Sequence, residues 1–586
     1  MTPTRAFDFL LHQLERAPRK DCLCGKSGKT WTVLSTAEAV KTIECLSLGL
    51  MELGIGRGDR VAIAADNCLE WAFTDLALQQ IGAISVPLYP TCTLDDARYI
   101  LAHAEVKMVF AGSAALLEKM RAALTVPCQV YSFVPLDNAP SWREILHLGE
   151  SGDRARLERT RDSIGPDDIF TIIYTSGTTG RSKGVMLSHR NLVSMVVSTA
   201  SHTGLPRNSC RALSFLPLSH IFERAGVHYY LHTGTGVYFS SVDGLSAALE
   251  EVRPHTFSAV PRVLEKVYEK MAGRARSMRG LTRRLYLWAL QLAENFEPAR
   301  RYPLVDRLRY AIARQLVFNK WYGAMGGELR WINVGSAALQ PRLARLFWAC
   351  GVVVSEGYGM TEASPVIAAN PFNARGVRIG TVGVPMPGVD VRFADDGEIL
   401  VRGDNIMRGY YKEPELTAEV LRDGWLHTGD IGVLENGYIR ITDRKKEMFK
   451  TSNGKYIAPQ AIENKLKESA FIDQIMVVGD GEKFASALIV PLFDKLREWC
   501  SDHGIRYTCD QEMARHPSVH ELIEREIKRF NHCFGSWEHI RRFTLLDRAW
   551  CVDQGELAPT LKLRRKVISE RCRAHIELMY AQPELA

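Results

Sequence analysis

The sequence predicts an α/β protein, with a large N-terminal domain of two α/β subdomains plus a small β-barrel-like unit, and a smaller α+β C-terminal domain. Three observations carry this. Strand-length apolar runs alternate with helix-length amphipathic runs between residues 54 and 109 and again after Asp168, a pattern that gives a mostly parallel sheet covered by helices. From about Pro371 to Arg440 the runs shorten and Gly and Pro punctuate them. Beyond the charged run Asp443 to Glu447, the chain reads as charged helices around apolar strands.

The first alternation is DRVAIAAD, CLEWAFTDLALQQIG, AISVPL, LDDARYILAHA and KMVFAG: strand, helix, strand, helix, strand. The second opens with IFTIIY and continues through RNLVSMVVSTAS, RALSFLPL, TGVYFS and HTFSAV; after Leu329 it resumes with RWINVGS, a helix near LARLFWAC, and VVVSEGYG. GTVGVPMPGVDVRFADDGEILVRGD and GYIRITD make an antiparallel β unit at about 371–440, and the charged run after it is expected as an exposed connection. A helix opens at Pro459, where proline suits the first turn, and QIMVVGD and SALIVPL supply the tail's strands. The expected division is 1–445 and 446–586.

Composition sets the class. At 586 residues, 46% apolar and 24% charged, the chain is ordinary globular material, which excludes disorder, collagen and a membrane bundle. The most apolar stretch, Leu76 to Leu88, is broken by Gln79, Gln80, Gly82 and Pro87, well short of the roughly 18 apolar residues of a spanning helix. MTPTRAFDFLLHQLERAPRK carries no apolar core with a small-residue cleavage site, so the expected compartment is the cytoplasm. Thirteen scattered cysteines without CxxC spacing read as reduced thiols.

The net charge of +7 is uneven: from Arg262 to Arg330 there are 15 Lys or Arg against 6 Asp or Glu. In this basic helical insertion, about 265–325, Leu281, Leu285, Trp288, Leu292 and Phe296 recur at helical spacing beside arginines. Two readings stand: a helical pair packing that stripe on the core, or peripheral contact with an anionic membrane. No zinc-finger, RNP or basic-zipper pattern points to nucleic acid. Oligomeric state leaves no residue-level mark, and a homodimer stays open.

The most informative stretch is YTSGTTGRSKGV, Tyr174 to Val185, after an apolar strand. Thr175, Ser176, Thr178 and Thr179 offer hydroxyls, Gly177 and Gly180 let backbone amides approach an anion, and Lys183 adds a mobile cation. Together they suit a polyphosphate. GxxxxGK[ST] is absent, which argues against kinase or GTPase architecture. Further on, Tyr358 offers a flat ring for a base, while Thr361 and Glu362 offer a hydroxyl and a hard oxygen ligand for Mg²⁺. Asp430 can accept hydrogen bonds from two ribose hydroxyls.

YTSGTTGRSKGV, SEGYGMTE (Ser355 to Glu362), DGWLHTGDIG (Asp423 to Gly432), DRKKEMFKTSNGKYIAP (Asp443 to Pro459) and ELAPTLKLRRKV (Glu556 to Val567) stand in one order along nearly the whole chain. In this they resemble the acyl-adenylate-forming enzymes, the superfamily of acyl-CoA synthetases, peptide-synthetase adenylation domains and beetle luciferases. The resemblance implies a nucleotide site from Thr175 to Gly180, Lys183, Gly335, Ser336, Ala337, Glu356, Gly357, Tyr358, Gly359, Met360, Asp430 and Arg444, the last two holding the ribose. It implies Thr361, Glu362, Lys562 and His220 as catalytic candidates, with Glu362 on the metal. Lys562 would be the mobile lysine that reaches the carboxylate and α-phosphate. Lys446 would be the hinge of a mobile C-terminal domain, and Ser452, Asn453, Gly454 and Lys455 the loop offered to CoA.

LPLSHIFERAGVHYY, FSAVPRVLEKVYEKM and the basic insertion look like long-chain fatty acyl-CoA synthetases, so the implied reaction takes fatty acid, ATP and CoA to acyl-CoA through acyl-AMP. A lone His such as His220 is more often a structural hydrogen-bonder. The family's GGAPL-like segment reads GSAAL at Gly335 to Leu339, and Ala558 stands where threonine is common. Two alternatives remain: a ligase loading an acyl carrier protein, and a fatty-acid uptake or binding protein with a vestigial nucleotide site.

Overall fold

A computed structural model describes residues 3–28, 30–175, 181–552, 554–558 and 562–581. A seven-stranded sheet runs, in spatial order, Gly409–Tyr410, Lys183–Ser188, Ile169–Thr175, Ile84–Leu88, Arg60–Ala64, Met108–Ala111 and Gln129–Ser132. Its last five strands are parallel, whereas Lys183–Ser188 runs antiparallel to both neighbours. Val61, Ala62, Ile63 and Ala64 have no exposed area, as expected of a parallel strand covered on both faces. This is why DRVAIAAD carries no polar alternation.

A nine-stranded sheet has the order Val384–Pro385, Val366–Ala369, Val353–Gly359, Trp331–Val334, Thr256–Ala259, Arg211–Ser214, Gly236–Phe239, Leu23–Ser27 and Thr30–Leu34. The six strands from Val353–Gly359 to Leu23–Ser27 are parallel, and antiparallel strands close both edges. Asp75 and Arg224 are buried together within this N-terminal part. The Arg224 guanidinium donates to Asp75 Oδ2 at 2.8 Å, to Thr171 Oγ1 at 2.7 Å and to Ser85 Oγ at 2.8 Å, so no face of the ion pair lacks a partner.

Five helices bear on function: α1 (His189–Thr203), α2 (Ile221–Thr233), α3 (Pro261–Ser277), α4 (Gly280–Glu294) and α5 (Leu304–Ala313). The basic insertion is α3 to α5, continued by a π-helical turn, Arg314–Phe318, and a short helix, Asn319–Ala324. Of the expected stripe on α4, Trp288, Leu292 and Phe296 pack against the core beside the buried Tyr286, Ala289 and Ala293, whereas Leu281 is 82% exposed. The Tyr286 hydroxyl donates to Met271 O at 2.6 Å and accepts from Trp321 Nε1 at 2.8 Å.

The chain forms two compact units, one of residues 1–392, 400–427 and 434–440, the other of 393–399, 428–433 and 441–586. The units are thus interleaved, where the sequence pattern suggests a single cut after 445. Lys445 explains this for the second unit: its N–H donates to Gly429 O at 2.9 Å and its ammonium meets Glu398 Oε2 at 2.9 Å. Most of the expected β unit is a five-stranded sheet of Val389–Phe393, Glu398–Gly403, Leu421–Arg422, Trp425–Glu435 and Tyr438–Arg444. The charged run is not wholly an exposed connection, because Asp443 lies in the strand Tyr438–Arg444 and is 1% exposed. The second unit also holds the sheet Ile472–Val478, Ser486–Pro491, Arg542–Leu545 and the hairpin Phe449–Lys450 with Tyr456–Ile457. All thirteen cysteines are free thiols.

Candidate active site

In the first unit, the phosphate-loop motif spans the turn of an antiparallel hairpin. Thr175 pairs with Lys183, and Tyr174 with Gly184, so the two ends of the loop stand opposite each other. Ser176, Gly177, Thr178, Thr179 and Gly180 lie outside the described residues. Lys183 Nζ lies 5.1 Å from the centre of the Tyr410 ring, a cation–π distance. Tyr410 reaches this place because Gly409–Tyr410 adds to the Lys183–Ser188 strand, pairing with Val185.

The Tyr410 hydroxyl donates to Glu362 Oε1 at 2.9 Å. Thr361 and Glu362 follow the Val353–Gly359 strand as one turn of 3-10 helix, each 8% exposed. Glu362 O also accepts Met407 N–H at 2.9 Å. Lys183, Tyr410 and Glu362 therefore form one chain of contacts joining the phosphate loop to SEGYGMTE. Tyr410 was not singled out by the sequence analysis: it stands 48 positions from its partner and carries no motif of its own. A buried carboxylate beside a threonine hydroxyl is a donor set that fits a hard cation such as Mg²⁺.

The same strand shapes a nucleotide wall. A side chain at Gly359 would collide with the Pro365 carbonyl, so only glycine allows the strand to pair this closely with Val366. Glu356 is buried and accepts Leu339 N–H at 2.9 Å; burial pushes its carboxyl up to about 7. That bond joins Glu356 to the segment of Gly335, Ser336 and Ala337, which bends after its strand with Ser336 at φ 70°. Gly357 lines a cavity with Phe222 and Tyr230 of α2, Met195 and Val196 of α1, and Ser258 and Val334 at strand ends. Tyr358 and Met360 are half-buried beside it in sequence. His220 caps α2, its Nδ1 accepting Phe222 N–H at 3.1 Å; Phe222, not His220, lines the cavity.

In the second unit, Asp430 and Arg444 meet: Arg444 Nε lies 3.1 Å from Asp430 Oδ1, and Asp430 is 5% exposed. Next to Arg444, Asp443 accepts Arg444 N–H at 2.6 Å and Gln460 N–H at 3.2 Å, yet burial pushes its carboxyl up to about 7. Lys446 is exposed in the following turn, whose Glu447 and Met448 amides donate to Arg444 O. Ser452, Asn453, Gly454 and Lys455 form the exposed tip of the Phe449–Ile457 hairpin, with Gly454 at φ 78°. Ser452 N–H donates to Glu482 O at 2.8 Å, and Lys455 Nζ lies 5.6 Å from the centre of the Trp537 ring. Lys562 is exposed, next to Leu563, which is bridged to Leu557.

Among the described residues, no cluster of three or more His, Cys, Asp or Glu could hold a metal, and no helix is long and apolar enough to cross a membrane.

Comparison with known proteins agrees with this geometry. The AMP-binding enzyme model matches residues 10–411, and the model of the AMP-binding enzyme C-terminal domain matches 447–584. A long-chain-fatty-acid–CoA ligase of Mycobacterium bovis is 35% identical over 94% of this chain and 92% of its own length. A peroxisomal long chain acyl-CoA synthetase of Arabidopsis thaliana is 32% identical over 94% and 82%. Among solved structures, an anthranilate CoA ligase with anthranoyl-AMP superposes with a TM-score of 0.72 at 16% identity, over 98% of each chain. A Mycobacterium tuberculosis fatty acyl CoA synthetase superposes with a TM-score of 0.63 at 20% identity, over 98% of this chain and 99% of that one. With phosphate-loop strands, glutamate turn, Asp430–Arg444 pair and both family models in place along its length, the chain belongs to the AMP-binding enzyme family.

Proposed function

We propose that the protein is an ATP-dependent, AMP-forming long-chain fatty acid–CoA ligase. One observation carries this reading: an apolar cavity reaches Gly357, on the strand that leads into the Glu362 turn, and Glu362 connects through Tyr410 to Lys183 of the phosphate loop. The names of the relatives support the long-chain substrate class.

The chemistry follows from charge. A fatty carboxylate attacks an α-phosphorus already surrounded by negative oxygens, and the transition state gathers more charge on them. Lys562 is assigned to those oxygens; removing one such preorganised cation costs about 3 to 4 kcal/mol, or roughly 10²–10³ in rate. Lys183 and the loop hydroxyls hold the departing pyrophosphate, and Asp430 with Arg444 holds the ribose. Mg²⁺ bound at Glu362, with Thr361 beside it, would neutralise phosphate charge. CoA then displaces AMP from the acyl carbonyl, with the loop Ser452 to Lys455 directed to the pantetheine after rotation about Lys446. The working place is the cytoplasm, with peripheral contact to anionic lipid, where such acids partition.

The test is to incubate the protein with α-labelled ATP, Mg²⁺ and palmitate, with and without CoA. Acyl-AMP without CoA, and AMP with palmitoyl-CoA when CoA is added, is the expected result. ADP would overturn adenylation. Acyl-AMP that CoA cannot discharge would reassign the acceptor to a carrier protein.

A further inference from the structure

Helix α5 is apolar on two opposite faces. Residues advance about 100° per position around a helix. One face carries Tyr310 and Ala313, which pack into the core, and Val317 of the π-helical turn continues it. The other carries Leu304, Val305, Leu308 and Ile312, which fall within a stripe of about 100°. These four are 79%, 63%, 63% and 43% exposed, and Leu316 extends the row at 44%. Isolated exposed leucines are ordinary, but a continuous row along one helix marks a contact surface.

The surroundings of the row select the occupant. Arg307 and Arg309 flank the stripe on its two sides, and Arg300, Arg301, Arg314 and Lys320 are exposed within the same stretch. Asp306 is the single acidic residue from 300 to 320, and it is already engaged with Arg309. An apolar stripe bordered by arginines is the pattern of a helix lying in a lipid interface, its leucines among acyl chains and its guanidiniums on phosphates. A protein partner or second copy would need acidic groups around its own apolar patch, because around this row every charge but the paired Asp306 is basic.

We infer that α5, rather than the α4 stripe singled out by sequence periodicity, is the element that docks on an anionic lipid surface. This rests on the ligase reading only in supplying a reason for the contact, namely that the acid substrate resides in lipid. Binding itself needs neither nucleotide nor acid and is measured without them.

The experiment is flotation of the full-length protein with phosphatidylcholine vesicles and with vesicles containing one quarter phosphatidylglycerol, at low and high salt. The wild type should float with the anionic vesicles, less so at high salt. The Leu304→Ser/Leu308→Ser double variant should lose at least about tenfold in partition, and Arg307→Gln/Arg309→Gln should lose the preference for anionic lipid. Both should retain the wild-type melting temperature and adenylate octanoate, a soluble acid, at the wild-type rate. Equal flotation of the wild type and the leucine variant would overturn the inference, as would no flotation at all. So would a wild-type dimer in solution that the leucine variant converts to monomer.

Discussion

Arg548 holds both carboxylate oxygens of Glu556, Nη1 to Oε2 at 2.9 Å and Nη2 to Oε1 at 2.5 Å. Glu556 is 2% exposed, and its main-chain carbonyl accepts Arg564 N–H at 2.8 Å. Between them, Ala558 N–H donates to Lys562 O at 2.8 Å. The backbone of the exposed lysine is thus tied close to a bidentate ion pair. Glu556→Gln should slow acyl-AMP formation on the order of tenfold to hundredfold, below the loss from Lys562→Ala. Thioester formation from supplied acyl-AMP should change less than about twofold. Equal loss in both half-reactions would make Glu556 merely structural.

Lys446 occupies the turn after Tyr438–Arg444. Proline there fixes φ and stiffens the pivot. Lys446→Pro should spare pyrophosphate exchange with ATP and abolish thioester formation; loss of both activities together would count against a pivot at this position.

Tyr410→Phe removes the donor to Glu362 Oε1 and leaves a buried carboxylate oxygen short of one partner. Such a loss typically costs about 1–3 kcal/mol. Urea unfolding should register a lower midpoint, and pyrophosphate exchange should fall; an unaltered exchange rate would remove Tyr410 from the site.

Asp75→Ala strands Arg224, which is 1% exposed. Leaving one member of a buried pair without the other costs about 3–5 kcal/mol. Replacing both, as Asp75→Leu/Arg224→Met, should recover part of that. Denaturant midpoints of the three proteins check the expected non-additivity.

Glu223 of α2 is 1% exposed, and burial pushes its carboxyl up to about 8. The folded state therefore binds a proton that the unfolded state releases near pH 4.5. Stability falls as pH rises from about 4.5 through about 8 and levels off above. Glu223→Gln should flatten that slope, and melting curves at pH 5, 6.5 and 8 decide it.

The alternating strands were legible because parallel strands covered on both faces are apolar throughout, as Val61–Ala64 is. The site motifs were legible because glycine is forced where backbones nearly touch, as at Gly359 beside Pro365. What periodicity missed is set by single tertiary contacts. On α4 the spacing found Trp288, Leu292 and Phe296 but not Tyr286, whose hydroxyl is held between Met271 and Trp321. Tyr410 meets Glu362 only because a two-residue strand adds to a sheet edge. Asp443 reads as one member of a charged run, yet two backbone amides draw it inside.

The interleaving of the two units limits how the molecule can be dissected. A fragment ending at 440 would retain 393–399 and 428–433 but lose Lys445, which bonds Gly429 and Glu398. Its orphaned strand segments would present unpaired edges, a template for aggregation. Separately expressed halves should therefore yield an insoluble first piece. Genetic complementation between them should fail even though each half carries its own set of motifs.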